Sequence, residues 1–175
     1  MKLPFLSKGK GGQPREEVNY HFIFIEAQEQ QVGAEVINWG ESTWWPKDCY
    51  MRFIRKTPPG PLQVGTRFEQ RVTWGSPLIS GWLPRWNVEV TKLIKDREIE
   101  RTFLNGMFQG SETVYVEERY NGSKVIYEMR FRLVGFFNKL LWRLLFRKLH
   151  DKSIKRILAA LNDYVLKKKE KDSKA

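Results

Sequence analysis

The sequence predicts an α+β domain in which a mostly antiparallel sheet of about seven strands wraps around one long carboxy-terminal helix. Three observations carry this reading. Apolar residues recur at every second position through successive segments between residues 18 and 134, joined mainly by short, turn-rich connections. Beyond residue 150 the spacing changes to a period near 3.6, with Ile154, Ile157, Leu158, Leu161 and Val165 on one stripe and Lys152, Lys155, Arg156 and Asp163 off it. Finally, 175 residues that are 41% apolar suit one filled core and are too few for two ordinary domains.

The elements follow in order. Residues 1–16 hold Gly9, Gly11, Gly12 and Pro14 among scattered lysines, a composition expected to form a flexible basic arm. The domain proper is expected over 17–168, with a lysine-rich tail over 169–175. The run 18–25, rich in aromatic and β-branched residues, is the first strand. A short helix is expected over 27–38, with Val32, Val36 and Ile37 on one side, followed by a loop containing Trp39, Trp44, Trp45 and Pro46. Residues 50–56 are the second strand. In the third, 66–74, Phe68, Gln70, Val72 and Trp74 alternate with Arg67, Glu69, Arg71 and Thr73, so one face is apolar and one charged. A loop over 75–84 leads to a strand with Trp86, Val88 and Val90 on one face, which Lys95-Asp96 turns into the next, 98–104. Tyr120-Asn121-Gly122 marks a tight hairpin between 112–119 and 124–134, because Asn-Gly is the strongest short-range hairpin signal. In the last strand Val125, Tyr127, Met129, Phe131 and Leu133 share one face. Residues 136–148 are helical in pattern with a wide apolar face, and a bend is expected near His150-Asp151.

Composition narrows the function classes. One cysteine, Cys49, cannot form an intrachain disulfide, which suits a reducing compartment, and no Cys/His set at ligand spacing is present along the chain. No metal site and no cofactor are expected. The apolar residues near the start, Leu3, Phe5 and Leu6, are too few for a signal-peptide core, and no apolar run is long enough to span a membrane. A cytoplasmic protein is expected, with peripheral contact at a membrane as a further expectation. The net charge of +11 sits at the ends: residues 1–15 carry +4, residues 136–175 carry twelve Lys/Arg against four acidic residues, and the body is near neutral. Such ends are drawn to anionic surfaces without reading sequence, or simply keep the chain soluble. Nucleic acid is not expected as a partner, since charge occurs without an aromatic-basic motif. Oligomeric state stays open.

Certain residues carry a resemblance. Phe22-Ile23-Phe24-Ile25-Glu26-Ala27 leading to Trp44-Trp45-Pro46, and Ile157-Leu158-Ala159-Ala160-Leu161-Asn162-Asp163-Tyr164 at the end, resemble the START / polyketide-cyclase (SRPBCC, Bet v-like) superfamily. Gly81-Trp82-Leu83-Pro84, Gly106-Met107-Phe108-Gln109-Gly110 and His150-Asp151 are similar to its polyketide cyclase/dehydrase-like branch. The resemblance spans about residues 18–168 and implies a helix-grip fold with an internal cavity for a lipid, polyketide, quinone or similar ligand. Gly33 stands where that family's first helix often has a bulky residue, which is expected to widen the cavity at that end.

The expected ligand-binding residues are Gln70, Trp74, Trp86, Arg101, Phe103, Tyr127 and Met129, all placed inward by alternation. Gln70 and Tyr127 supply neutral hydrogen-bonding groups. Arg101, between Ile99 and Phe103, needs a partner if buried, and a carboxylate or phosphate on a ligand would serve. The best-resolved inward faces hold no carboxylate and no histidine, so no catalytic residue is assigned, and His21 and His150 are read as structural or exposed. Carriage of a hydrophobic small molecule in a pocket of some hundreds of Å3 is therefore the leading expectation. A cyclase or dehydrase acting in the same cavity is the alternative. Peripheral association with an anionic membrane surface through residues 136–148 is the third.

Overall fold

The computed structural model describes residues 16–73 and 84–173; Trp74, Trp82 and residues 1–15 of the expected arm lie outside them. The described elements are β1 (Glu17–Ile25), α1 (Glu29–Val36), β2 (Met51–Arg55), β3 (Arg67–Val72), β4 (Arg85–Ile94), β5 (Glu98–Phe103), β6 (Phe108–Arg119), β7 (Gly122–Leu133), α2 (Phe136–Leu141) and α3 (Arg147–Asp172). A single turn of π-helix, Trp142–Phe146, joins α2 to α3.

The seven strands form one sheet in the order β1-β7-β6-β5-β4-β3-β2, and every neighbouring pair is antiparallel. Alternation sets which face each strand buries. On β5, Ile99, Arg101 and Phe103 are buried while the residues between them reach solvent in part. On β7 the set Val125, Tyr127, Met129, Phe131 and Leu133 is buried on the concave side. The β6–β7 hairpin closes at Arg119 and Gly122 around Tyr120-Asn121. Gly122 is required there, because a Cβ would stand 2.3 Å from the Ile25 carbonyl oxygen.

The helix α3 lies in the concave face and buries the stripe the sequence predicted, Ile154, Ile157, Leu158, Leu161 and Val165. Each such aliphatic side chain contributes about 1.5–3 kcal/mol when fully buried. The helix runs unbroken through His150-Asp151, where a bend was expected, and on through Asp172 into the expected tail. The irregularity instead falls at Trp142–Phe146, where two large aromatic side chains are both turned into the core. Gly33 also departs from expectation. A Cβ there would lie 1.6 Å from the Asp96 carbonyl oxygen, so the glycine lets the β4–β5 turn close against α1 rather than leaving space.

Aromatic rings fill the concave face. Trp39 and Trp45 meet edge to face at 5.4 Å, and Phe108 is met edge-on by Trp86, Phe131 and Trp142 at 5.0–5.3 Å.

Candidate functional site

Arg101 is 1% exposed, because its neighbours two residues away, Ile99 and Phe103, both face the core. A buried guanidinium must find a counter-charge. It finds Glu112, directly opposite on β6 and 2% exposed, with Nη1 3.4 Å from Oε1. Thus the carboxylate expected from a ligand is supplied by the chain itself. The other Arg101 amino group donates to the Trp39 carbonyl, and the guanidinium sits 4.9 and 5.2 Å from the ring centres of Phe53 and Phe68.

Glu112 gathers two further donors. Gln70 Nε2 donates to Oε1 at 2.6 Å, and the Tyr127 hydroxyl donates to Oε2 at 3.1 Å. The Gln70 carbonyl in turn accepts from the Trp86 indole N–H. Burial first, then the neighbouring Glu112 carboxylate, pushes the Tyr127 phenol well above its ordinary value, so the proton stays on the hydroxyl.

On its far side the Tyr127 oxygen lies 3.1 Å from His150 Nε2. From there the chain of polar groups continues to Asp151, which has Asn19 Nδ2 at 2.7 Å, His21 Nε2 at 3.2 Å and His150 Nδ1 at 4.0 Å, all from Oδ1. Asn19 and His21 lie two apart on β1, facing α3. The His150 ring beside it, with Asn19 and His21, holds Asp151 well below the usual carboxylate range. Burial pulls His21 below its ordinary value against the opposing pull of Asp151. Both histidines are therefore brought to one carboxylate, and among the described residues His21, His150 and Asp151 form a group able to hold a metal ion.

Sequence reasoning missed Glu112 and this cluster. Counting back by twos from Val114 and Val116 puts Glu112 on the inward face, and counting back from Ile25 and Ile23 does the same for His21. That they meet His150 was not readable from spacing.

A crevice between the sheet and the helical segment is lined by Met51, Val72, Trp86, Met107, Phe108 and Trp142 among others, and by His150 and Ser153. It has room for about 20 Å3, the space of a single water. This crevice is far smaller than the expected pocket of some hundreds of Å3, and beside it edge-to-face aromatic packing and the Arg101–Glu112 network occupy the concave face. Of the residues expected to bind ligand, Trp86 lines the crevice, Gln70, Arg101 and Tyr127 are engaged with Glu112, and Phe103 and Met129 are packed in the core. Trp74 lies outside the described residues. The indole N–H of Trp142 and the hydroxyl of Ser153, both on the crevice wall, are buried with no hydrogen-bond partner among the described residues.

The segment 136–148 has two apolar sides. Trp142 and Phe146 are buried, whereas Phe136, Phe137 and Leu144 are 74%, 76% and 67% exposed, with Leu140 and Leu141 also exposed. Lys139, Arg143, Arg147 and Lys148 are interspersed along it. No helix of the described residues is long and apolar enough to cross a membrane.

No protein-family model and no curated protein sequence matches the chain. Solved structures do. Norcoclaurine synthase from Thalictrum flavum in complex with dopamine and hydroxybenzaldehyde superposes with a TM-score of 0.62 at 12% identity, covering 95% of this chain and 98% of that one. Ara h 8.0201 gives 0.60 at 14%, covering 87% and 99%. A protein from Thermus thermophilus gives 0.58 at 17%, covering 87% and 97%. With its antiparallel sheet curled on a carboxy-terminal helix, the chain has the helix-grip fold of these structures.

Proposed function

We propose that this chain binds a small apolar molecule in the crevice beside Trp142 and exchanges it with an anionic membrane surface on which α2 docks. One observation carries the reading: the run 136–146 walls the crevice with Trp142 and Phe146 and turns five other apolar side chains to solvent. A π-helical turn joins these two roles, and such turns are frequent at functional sites. The unpartnered Trp142 N–H and Ser153 hydroxyl favour a ligand bearing one carbonyl or hydroxyl on an otherwise apolar body. Entry requires the wall to move, since the space as folded holds only a water. The norcoclaurine synthase with dopamine and hydroxybenzaldehyde supports small aromatic molecules as one ligand class for the fold.

The cyclase reading has less behind it. His150, the ring on the crevice wall best suited to act as a base, has one nitrogen engaged with Tyr127 and the other turned toward Asp151.

Vesicle sedimentation and probe binding test the proposal together. Binding to acidic vesicles should weaken steeply as salt rises through the physiological range, and neutral vesicles should bind poorly. A phenylalanine moved into lipid is worth about 1.5–3 kcal/mol. Replacing both Phe136 and Phe137 by Ser should therefore cut affinity more than about tenfold, with the melting midpoint unchanged. An apolar fluorescent probe should bind saturably, and Met107→Trp should block it. Equal binding to both vesicle types, no binding to either at low salt, or unaltered probe binding by a folded Met107→Trp variant would reject the reading.

A further inference from the structure

Following the hydrogens from Glu112 through Tyr127 to His150 leaves a ring lone pair without a donor. Glu112 as a carboxylate only accepts, so the single Tyr127 proton goes to it. The Tyr127 oxygen must then accept from His150, which places a proton on Nε2. In the neutral ring Nδ1 is left as a bare lone pair. That atom is buried, has no partner among the described residues, and faces the Asp151 carboxylate oxygen at 4.0 Å. The His150 side chain is 8% exposed. Two acceptors turned toward each other ask for a cation between them, a proton on Nδ1 or a metal ion, and either would make the His150 side hold Asp151 low rather than raise it. A proton on Nδ1 does not close the gap, because 4.0 Å is beyond hydrogen-bond length.

His21 arrives at the same point from β1. The chain has only two histidines, and both stand against this one carboxylate, although residues 21 and 151 are 130 positions apart in sequence.

We propose that His21 Nε2, His150 Nδ1 and Asp151 Oδ1 form a binding site for a divalent transition-metal ion of the zinc type, with a fourth position open to solvent. The three atoms lie within 4.8 Å of one another. A tetrahedral ion with bonds of about 2.0–2.1 Å requires ligand atoms roughly 3.4 Å apart, so the His21–Asp151 spacing of 3.2 Å already fits, and the His150 ring, 4.0 Å from the same oxygen, must move inward on binding. Two imidazole nitrogens and one carboxylate oxygen match borderline ions and suit magnesium and calcium poorly.

The supporting partners are those such a site needs. His150 donates its other ring N–H to Tyr127, which is backed by Glu112, and Asn19 fixes the carboxylate. Asp151, with its side chain 35% exposed, opens onto a groove lined by Lys148, Lys152, Lys155 and Arg156. These cations, Lys155 facing His21 among them, oppose the ion and suit an anion in the open position.

Zinc chloride titrated into the chelator-stripped full chain should bind one to one and raise the melting midpoint, with magnesium and calcium ineffective. Cobalt(II) should give the visible absorption of a low-coordinate site. His21→Gln and Asp151→Asn should each weaken zinc by more than the roughly 10–100-fold cost of losing an outer partner, and Tyr127→Phe by about tenfold. The wild-type chain supplies a test free of folding effects: zinc must move the imidazole resonances of both His21 and His150. Zinc that leaves those resonances unmoved, or that binds folded His21→Gln within about threefold of wild type, well inside the range expected for even an outer partner, overturns the proposal.

Discussion

The Arg101–Glu112 pair and the His21–Asp151–His150 cluster lie on either side of the Tyr127 hydroxyl, and they meet burial differently. Around Glu112 most groups are paired: three side chains donate to the carboxylate, and of the ion pair's own atoms only Arg101 Nε lacks a partner among the described residues. The pair is sealed by Phe53, Phe68 and the Trp39 backbone. Around Asp151 donors are short, His150 Nδ1 and the Asn19 carbonyl oxygen are buried without partners among the described residues, and one edge is open to solvent. A saturated, dry network fixes a core; an unsaturated one beside solvent has capacity left for something else.

The largest test of this contrast is Arg101→Met. Removing one member of a sealed ion pair strands the other, at a cost of about 3–5 kcal/mol. Chemical denaturation should show that loss, and Arg101→Met combined with Glu112→Met should recover part of it, because both charges are then gone. A single variant as stable as the parent would mean that water reaches Glu112 and the two regions do not differ.

Next in size is Tyr127→Phe, which removes the hydroxyl the two clusters share. Glu112 keeps two donors, so the loss should be about 1–2 kcal/mol, without the collapse expected for Arg101→Met. The His150 ring loses its acceptor, and its tautomer should become mixed, read from ring nitrogen shifts. A Tyr127→Phe variant with the stability of the parent and a single His150 tautomer would separate the clusters.

How much of this was legible in the sequence follows from the range of the forces involved. Strand faces, the Tyr120-Asn121 hairpin and the Ile154-to-Val165 stripe follow from local period, and the structure reproduces them. Arg101 was legible as an inward side chain in need of a partner because Ile99 and Phe103 bracket it. Its partner was legible only in part: Glu112 alternates inward with Val114 and Val116, but its place opposite Arg101 is set by the β5–β6 register, which has no local signature. The size of the cavity was illegible for another reason. Seven tryptophans are as compatible with a lined pocket as with interlocked rings, and only the three-dimensional packing of Trp39, Trp45, Phe108 and Trp142 decides. The two histidines meet through the docking of α3 on β1, a contact with no local signature.

The smallest effect is a pH dependence confined to the open cluster. His21 has a folded value below its ordinary 6.5, so the unfolded chain binds more protons just below that pH. Its contribution to stability is fully present above 6.5 and is lost as pH falls toward the folded value. Asp151 is also depressed, so its contribution is complete above its ordinary 3.8 and disappears only as pH falls below that. Between about pH 7.5 and 5.5 His21 therefore adds a slope of this sign, with Asp151, His150 and Lys155 facing it. Because the ring is partly exposed and solvent screens it, the melting midpoint of chelator-treated protein should fall on the order of 2 °C over that interval. His21→Gln should remove this fall, whereas Asp151→Asn should flatten the curve below about pH 4. If the midpoint falls equally in wild type and His21→Gln, the titrating group lies elsewhere, and the distinction between a sealed and an open cluster loses its electrostatic basis.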